Sequence, residues 1–402
     1  MQKEAIIIGH NFNSILGLAR ALGPEGYTIS VIRTGRGRGN RLKSIGTAPE
    51  EKSKYVNAYC IADSAKPEAL ISLLINRFSS STNKPVLFPV DDIAAEIIDN
   101  NYDRLKVRFF SPNVDDTQGG VIQLMDKHYQ KQLAKRAGLP VPEGWSVKVT
   151  EGKYELSEEI TYPCFVKPET PILNRKKYMG RCNSKAELRK ILDSVASYQD
   201  CLMLVEEYVE IEKEYGSVGV CNRDKVCVPG ITEKTRLGHG SHAGVTACGK
   251  IHLPAEYKEI CEKLRSMMAM TGLQGLFDID LYESKGVMYF NELNVRLGAE
   301  GVGTLIAGVN LALMSAQSFL EPEKENDYDV EAREITFANE KPLSSDYGEG
   351  YITWKEYKKA INSVDYRFIY SESDRGPLYN YRFNIIRQFL RRIKKKCRGF
   401  LG

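Results

Sequence analysis

The chain runs to 402 residues with 42% hydrophobic content, too long for one compact core, so two or three packed lobes are expected. Its formal net charge of +4 leaves no basic excess in the body of the chain, which argues against a dedicated nucleic-acid binder. Nine cysteines without a single C-x-x-C pair suggest neither a zinc cluster nor a disulfide framework, and they read as small buried apolar residues. The opening MQKEAIIIGHNF has too short an apolar run for a secretory core or a spanning helix, which places the expectation in the cytoplasm.

In chain order, EAIIIG reads as a buried strand, the stretch from Ser14 to Leu22 as a helix, and TISVIR as a second strand. A helix around Glu68 to Phe78 and the strand PVLFPV continue a parallel doubly wound sheet. The first turn, GHNFNS, lacks G-x-G-x-x-G, so a dinucleotide is disfavoured. Asp91 and Asp92 end PVLFPV, where they either face a substrate amine or cap the helix beginning near Ile93. The loop RTGRGRGN is either an anion clamp or a basic surface loop. From about Val114 the pattern changes to a helix over LMDKHYQKQLAKRAG, closed by Gly138. Then come the strand YPCFVKP, a polar segment, the helix SKAELRKILDSV and the strand CLMLVEEYV, an α+β order. Strands YGSVGVC and KVCVPGI, a helix from about Pro254 to Thr271, and a hairpin over LFDIDLYESKGVMYFNELNVR complete the body.

Lys167 stands among apolar neighbours just before a proline, as an ordinary strand-end lysine or one that needs an anion such as phosphate. Asp280, then Glu292 and Asn294 twelve and fourteen residues on, place three oxygen donors on adjacent hairpin strands. Such hard donors hold magnesium, or else they are a solvated sheet face; Asp278 shares that face as a possible substitute. Arg296 would sit beside the metal and stabilise charge on a transferring phosphoryl group or a tetrahedral intermediate.

Taken in order, these segments resemble the ATP-grasp superfamily across roughly Val114 to Phe319. Lys127 in MDKHYQKQLAKRAGLPVPEG and Lys167 in FVKP match the two nucleotide-phosphate lysines. LVEEYVEIEKEYGSVGV resembles the interdomain hinge, which implies adenine near Glu206, Glu207, Tyr208 and Val209 and a ribose contact at Glu214. FDIDLYESKGVMYFNELNVRLG resembles the magnesium motif, with Asp280, Glu292 and Asn294 as ligands, and Arg296 and Lys167 as the catalytic cations. The resemblance implies ATP and Mg2+ as cofactors and a division into a Rossmann-like pre-ATP-grasp domain at 1–113, a lobe carrying the lysines at 114–204, a lobe carrying hinge and metal site at 205–320, and a C-terminal extension at 321–402. Arg175, Lys176 and Lys177 stand where many members carry a glycine-rich phosphate loop. That substitution and the phrase AGVNLA are similar to the D-aspartate ligase branch and related carboxylate-amine ligases of bacterial envelope assembly.

The implied reaction is activation of a small-molecule or lipid-linked carboxylate as an acyl phosphate, followed by attack of an amine. RLGHGSHAG, with Arg236, His239 and His242, is expected as a mobile loop over the site, its histidines either assisting amine deprotonation or facing solvent. Rival readings are a carboxyphosphate-forming carboxylase, a nucleotide-binding regulator without turnover and a membrane-recruited scaffold. A homodimer through the N-terminal domain is the expected assembly. The tail YNYRFNIIRQFLRRIKKKCRGFLG is a basic amphipathic pattern, with Phe383, Ile386, Phe389, Leu390 and Ile393 beside Arg387, Arg391, Arg392 and Lys394 to Lys396. It either docks on the body or makes a peripheral contact with an anionic membrane.

Overall fold

The computed structural model describes residues 3–35, 48–79, 84–169, 178–198, 200–324, 326–383 and the single positions 386 and 390. Strands Glu4–Gly9, Thr28–Gly35, Val56–Asp63 and Val86–Pro89 form a parallel sheet in which Glu4–Gly9 is central, between Thr28–Gly35 and Val86–Pro89. The continuous run Ala5 to Ile8 is buried, as a strand covered on both faces requires. Helix Phe12–Leu22 packs on this sheet, and its Ile15, Leu18 and Leu22 share one core with Val218 and Val220 of the large sheet.

That large sheet has nine strands, running Val287–Asn294, Leu273–Ser284, Lys213–Asn222, Ile231–Leu237, Thr246–His252, Ile335–Ala338 and Tyr366–Arg367, with Lys225–Cys227 and Asn113–Val114 added at its sides. A third, antiparallel sheet orders Gly144–Val149, Cys201–Glu207, Cys164–Pro168 and Gly180–Cys182. The architecture is thus a parallel N-terminal sheet followed by α+β lobes, as expected. Two segments differ in detail. The helix expected over LMDKHYQKQLAKRAG is two helices, Gly120–Leu124 and Lys127–Arg136, because the Asp126 carboxylate accepts the Tyr129 amide and starts the second one. The helix expected from Pro254 opens as a 3-10 turn, Pro254–Tyr257, and becomes α-helical at Lys258–Ala269. The eight described cysteines are all free, and five of them are buried.

One side chain ties a helix to the hairpin within the core of the large sheet. Gln130 donates to the carbonyls of Leu124 and Leu293, both at 2.7 Å, and accepts the Leu293 amide at 3.0 Å. A buried amide satisfied on three counts locks helix Lys127–Arg136 onto the hairpin strand Val287–Asn294. The chain's basic helix is thereby held over its acidic strand.

Candidate active site

Two clusters of opposite charge face each other at that junction. On one side, helix spacing brings Lys127 and Lys131 to the same face, and strand Cys164–Pro168 supplies Lys167. Lys167 Nζ lies 2.8 Å from Glu206 Oε2, and Lys131 pairs with the other oxygen of the same carboxylate. All three groups are buried. Burial, and then the neighbouring lysines, push Lys131 down to about 7. Burial, followed by Lys127, takes Lys167 to about 8.

On the other side is the hairpin Leu273–Ser284 and Val287–Asn294. Its register sets Asp280 opposite Glu292 and Asp278 opposite Asn294, so four oxygen-bearing side chains share one face. Each meets a cation. Lys127 Nζ is 3.0 Å from Glu292 Oε1, Lys234 pairs with Asp280, and Arg296 lies 3.5 Å from Asp278 and donates to Asn294 Oδ1 at 3.2 Å. Glu300, held by Thr246 Oγ1 at 2.8 Å, adds a further buried carboxylate. Burial raises Asp278 and Glu300; Asp280 and Glu300 add to the rise at Asp278, and at Glu300 Lys234 opposes it. Lys234 moves the opposite way from Lys131 and Lys167: burial would lower it, but Asp280 and Glu300 raise it well above its ordinary value. A Cβ on Gly298 would sit on the Asp278 carboxylate, so only glycine fits that approach.

Asp280, Glu292 and Asn294 are three hard oxygen donors on one sheet face, and in kind they fit a magnesium ion. Asp278 is turned to Arg296 instead. Arg296 is half-buried and also donates through Nε to Asp92 at 2.8 Å. From there it opens onto a cleft of about 1210 Å³ between the parallel sheet and the lobes, lined in part by His10, Asp91, Asp92, Tyr198, His242 and Lys341.

The remaining expected site residues are placed less simply. The Glu206 side chain turns inward onto the two lysines, so it offers no carboxylate to a base at the hinge. Glu207 is exposed, while Tyr208 and Val209 are half-buried, with the Arg181 guanidinium 4.4 Å from the Tyr208 ring centre. Glu214 is half-buried; burial raises its carboxyl, with Lys234 pulling it down and Asp280 pushing it up. Asp91 does cap its helix, through Ala94, yet it also binds His10. The loop with His239 and His242 is pinned rather than loose: Asp346 takes both the His239 amide and its Nδ1, and Glu349 takes Ser241 Oγ at 2.6 Å. Arg175, Lys176, Lys177 and most of the loop RTGRGRGN lie outside the described residues.

Sequence reasoning missed Lys131, Lys234, Glu300 and His10. Lys131 carried a usable signal, four residues after Lys127 on a helix. Lys234 reaches the hairpin through non-local sheet pairing, and Glu300 through the helix start that follows the hairpin.

A lysine cluster beside a sheet face of oxygen donors is an arrangement that suits a polyanion and a divalent cation together. The ATP-grasp domain model matches residues 132–310, a span that includes Lys167, Asp280, Glu292, Asn294 and Arg296, with Lys127 and Lys131 just before it. The chain therefore carries an ATP-grasp domain, the domain of ATP- and Mg2+-dependent enzymes. It is 25% identical over 192 residues to the carbamoyl phosphate synthase large chain of Vibrio cholerae, covering 46% of this chain and 17% of that one. It is 27% identical over 190 residues to the D-alanine–D-alanine ligase of Bacillus cytotoxicus, covering 43% and 51%. The chain thus spans under a fifth and about half of these two relatives. The L-amino acid ligase of Bacillus licheniformis shares the fold, with a TM-score of 0.57 at 16% identity over 83% of this chain and 79% of that one.

Proposed function

We propose that this protein is an ADP-forming carboxylate-amine ligase. The observation that carries the reading is the contact of Lys127 with Glu292 at 3.0 Å, where a candidate phosphate lysine and a candidate metal donor close on one point beside Arg296 and the large cleft. In this reading Lys127, Lys131 and Lys167 hold the nucleotide phosphates by charge-assisted hydrogen bonds. Glu207, Tyr208 and Val209 flank the base and Glu214 the ribose. Asp280, Glu292 and Asn294 would hold magnesium, which neutralises phosphate charge when bound. The substrate carboxylate attacks the γ-phosphorus, and Arg296 faces the oxyanion that forms when the amine adds to the acyl phosphate.

Of the two curated relatives, D-alanine–D-alanine ligase supports amide formation between small molecules, and the phrase AGVNLA supports the narrower D-aspartate ligase-like assignment. Similarity to carbamoyl phosphate synthase favours a second reading, a bicarbonate-activating enzyme. Measuring ADP release with a panel of L- and D-amino acids, with and without bicarbonate, separates them. Release that needs an amino acid, with an amide in the product mass, supports the ligase; release that needs only bicarbonate supports the second; silence with every compound sinks both.

A lipid-linked substrate would suit the tail. Among the described residues no helix is long and apolar enough to cross a membrane. Tyr381 is buried and donates to the Glu340 carbonyl at 2.7 Å, so the start of the tail docks on the body. Phe383, Ile386 and Leu390 are exposed, on a single face by helical spacing. Truncation after residue 383 should leave the fold intact and weaken binding to vesicles containing anionic lipid, at about 1 kcal/mol per basic residue removed from the surface. Equal binding by both chains would refute membrane contact.

A further inference from the structure

The parallel sheet reverses its connection order between strands Glu4–Gly9 and Val86–Pro89, and the loops leaving their carboxyl ends diverge to open a crevice. His10 follows the first strand and Asp91 the second. His10 Nδ1 lies 2.6 Å from Asp91 Oδ2, and the His10 amide donates to the same oxygen at 2.7 Å. The other Asp91 oxygen accepts the Ala94 amide at 2.8 Å. Gly9 permits this approach: its φ is +143°, and a Cβ there would fall 2.5 Å from Asp91 Oδ2. Asp91 is buried, whereas the imidazole is 61% exposed. Burial pushes the Asp91 carboxyl up, but the hydrogen bond from the His10 ring and those from the Ala94 and His10 amides hold it below its ordinary value. A carboxylate that stays charged fixes the ring with Nδ1 donating, which presents Nε2 as an acceptor.

The adjacent carboxylate, Asp92, holds Arg296 at 2.8 Å. Two neighbouring acids at one helix start therefore position a free imidazole nitrogen and a guanidinium on the same cleft of about 1210 Å³. Glu96, Asp126, His242 and Lys341 also line that cleft, and among the described residues none of them pairs with His10.

Resting on the ligase reading, we infer that His10 is the base that deprotonates the incoming amine and that Asp91 is its positioning residue. The amine arrives as an ammonium. His10 Nε2 takes one proton, and the resulting imidazolium is paired with Asp91. The freed lone pair forms the C–N bond at the acyl-phosphate carbon while the carbonyl pair moves onto the oxygen facing Arg296. Return of that pair breaks the C–O bond to phosphate, and the second N–H proton leaves with the departing phosphate.

The test compares two acceptors in the full-length protein: amino acids, which are ammonium ions at neutral pH, and hydroxylamine, which is largely neutral there and has no proton to lose before attack. With the same amino-acid panel as carboxylate donors, product mass gives the ratio of amide to hydroxamate. In His10→Gln this ratio should fall roughly 100-fold or more, the usual worth of a general base. Asp91→Asn keeps an oxygen for the Ala94 amide, and with it the cap, and should lower the same ratio by a smaller factor. An unchanged ratio in both variants, whatever the absolute rates, overturns the base assignment. Wild-type protein that forms no hydroxamate with any donor overturns the ligase reading itself, and the base role with it.

Discussion

Lysines behave in opposite ways in the two charged clusters. Lys131 and Lys167 share one carboxylate, Glu206, between them, and both are pushed down, to about 7 and about 8. Lys234 stands among Asp280, Glu300 and Asp278 and is pushed up. Desolvation works against the charged form of all three, so the sign is decided by neighbours. One wall carries surplus positive charge and the other surplus negative charge, as a site for a polyanion and a cation together would.

The strongest way to break this comparison is to remove oxygen donors from the negative wall. Glu292→Ala and Asn294→Ala should each reduce turnover by on the order of 100-fold or more, with the fold retained, because neither side chain fills a core. Near-normal turnover in either variant would remove the metal from this hairpin. Lys234→Met tests the same wall from within. It leaves Asp278, Asp280 and Glu300 without their shared cation, and an uncompensated buried charge costs about 3–5 kcal/mol. Denaturant unfolding should show that loss; a loss below about 1 kcal/mol would mean that Lys234 is not what holds the acids together.

On the positive wall, Lys167→Ala removes one charge-assisted phosphate contact, worth about 1.5–3 kcal/mol, or roughly 10–150-fold in kcat/KM for ATP. An unchanged nucleotide dependence would move the phosphate site elsewhere.

Much of this contrast could be read before any coordinates. Period-two spacing put Glu292 and Asn294 on one face, and the proline after Lys167 marked a lysine at a strand end. The register then added what spacing cannot supply: Asp280 lies directly opposite Glu292, and Asp278 opposite Asn294. Glu206 was legible as a strand-end acid but not as the anchor of two lysines, since that depends on a helix docked by Gln130. His10 and Asp91 are 81 positions apart, and their meeting follows only from which strands are neighbours in the sheet. Local pattern reports faces and ends; partners across a sheet are set by topology.

The smallest expected effect sharpens the comparison most. Lys131→Met takes one cation from a surplus and leaves Glu206 paired with Lys167, so stability at neutral pH should change by less than about 1 kcal/mol, against the large loss for Lys234→Met. The lowered lysines also fix a sign. From about 8 up to lysine's ordinary 10.5, the unfolded chain holds a proton at Lys167 that the folded chain has lost, so this group makes folded stability rise with pH across that window. Polyphosphate favours the charged lysines and raises them again. Near pH 8, nucleotide binding should therefore draw protons from solution, and affinity should weaken as pH climbs further. Calorimetry in two buffers of different ionisation heat reads the uptake directly, and Lys131→Met should take up fewer protons than wild type. Proton release on binding, or equal uptake by both proteins, would show that this lysine cluster does not meet the phosphates.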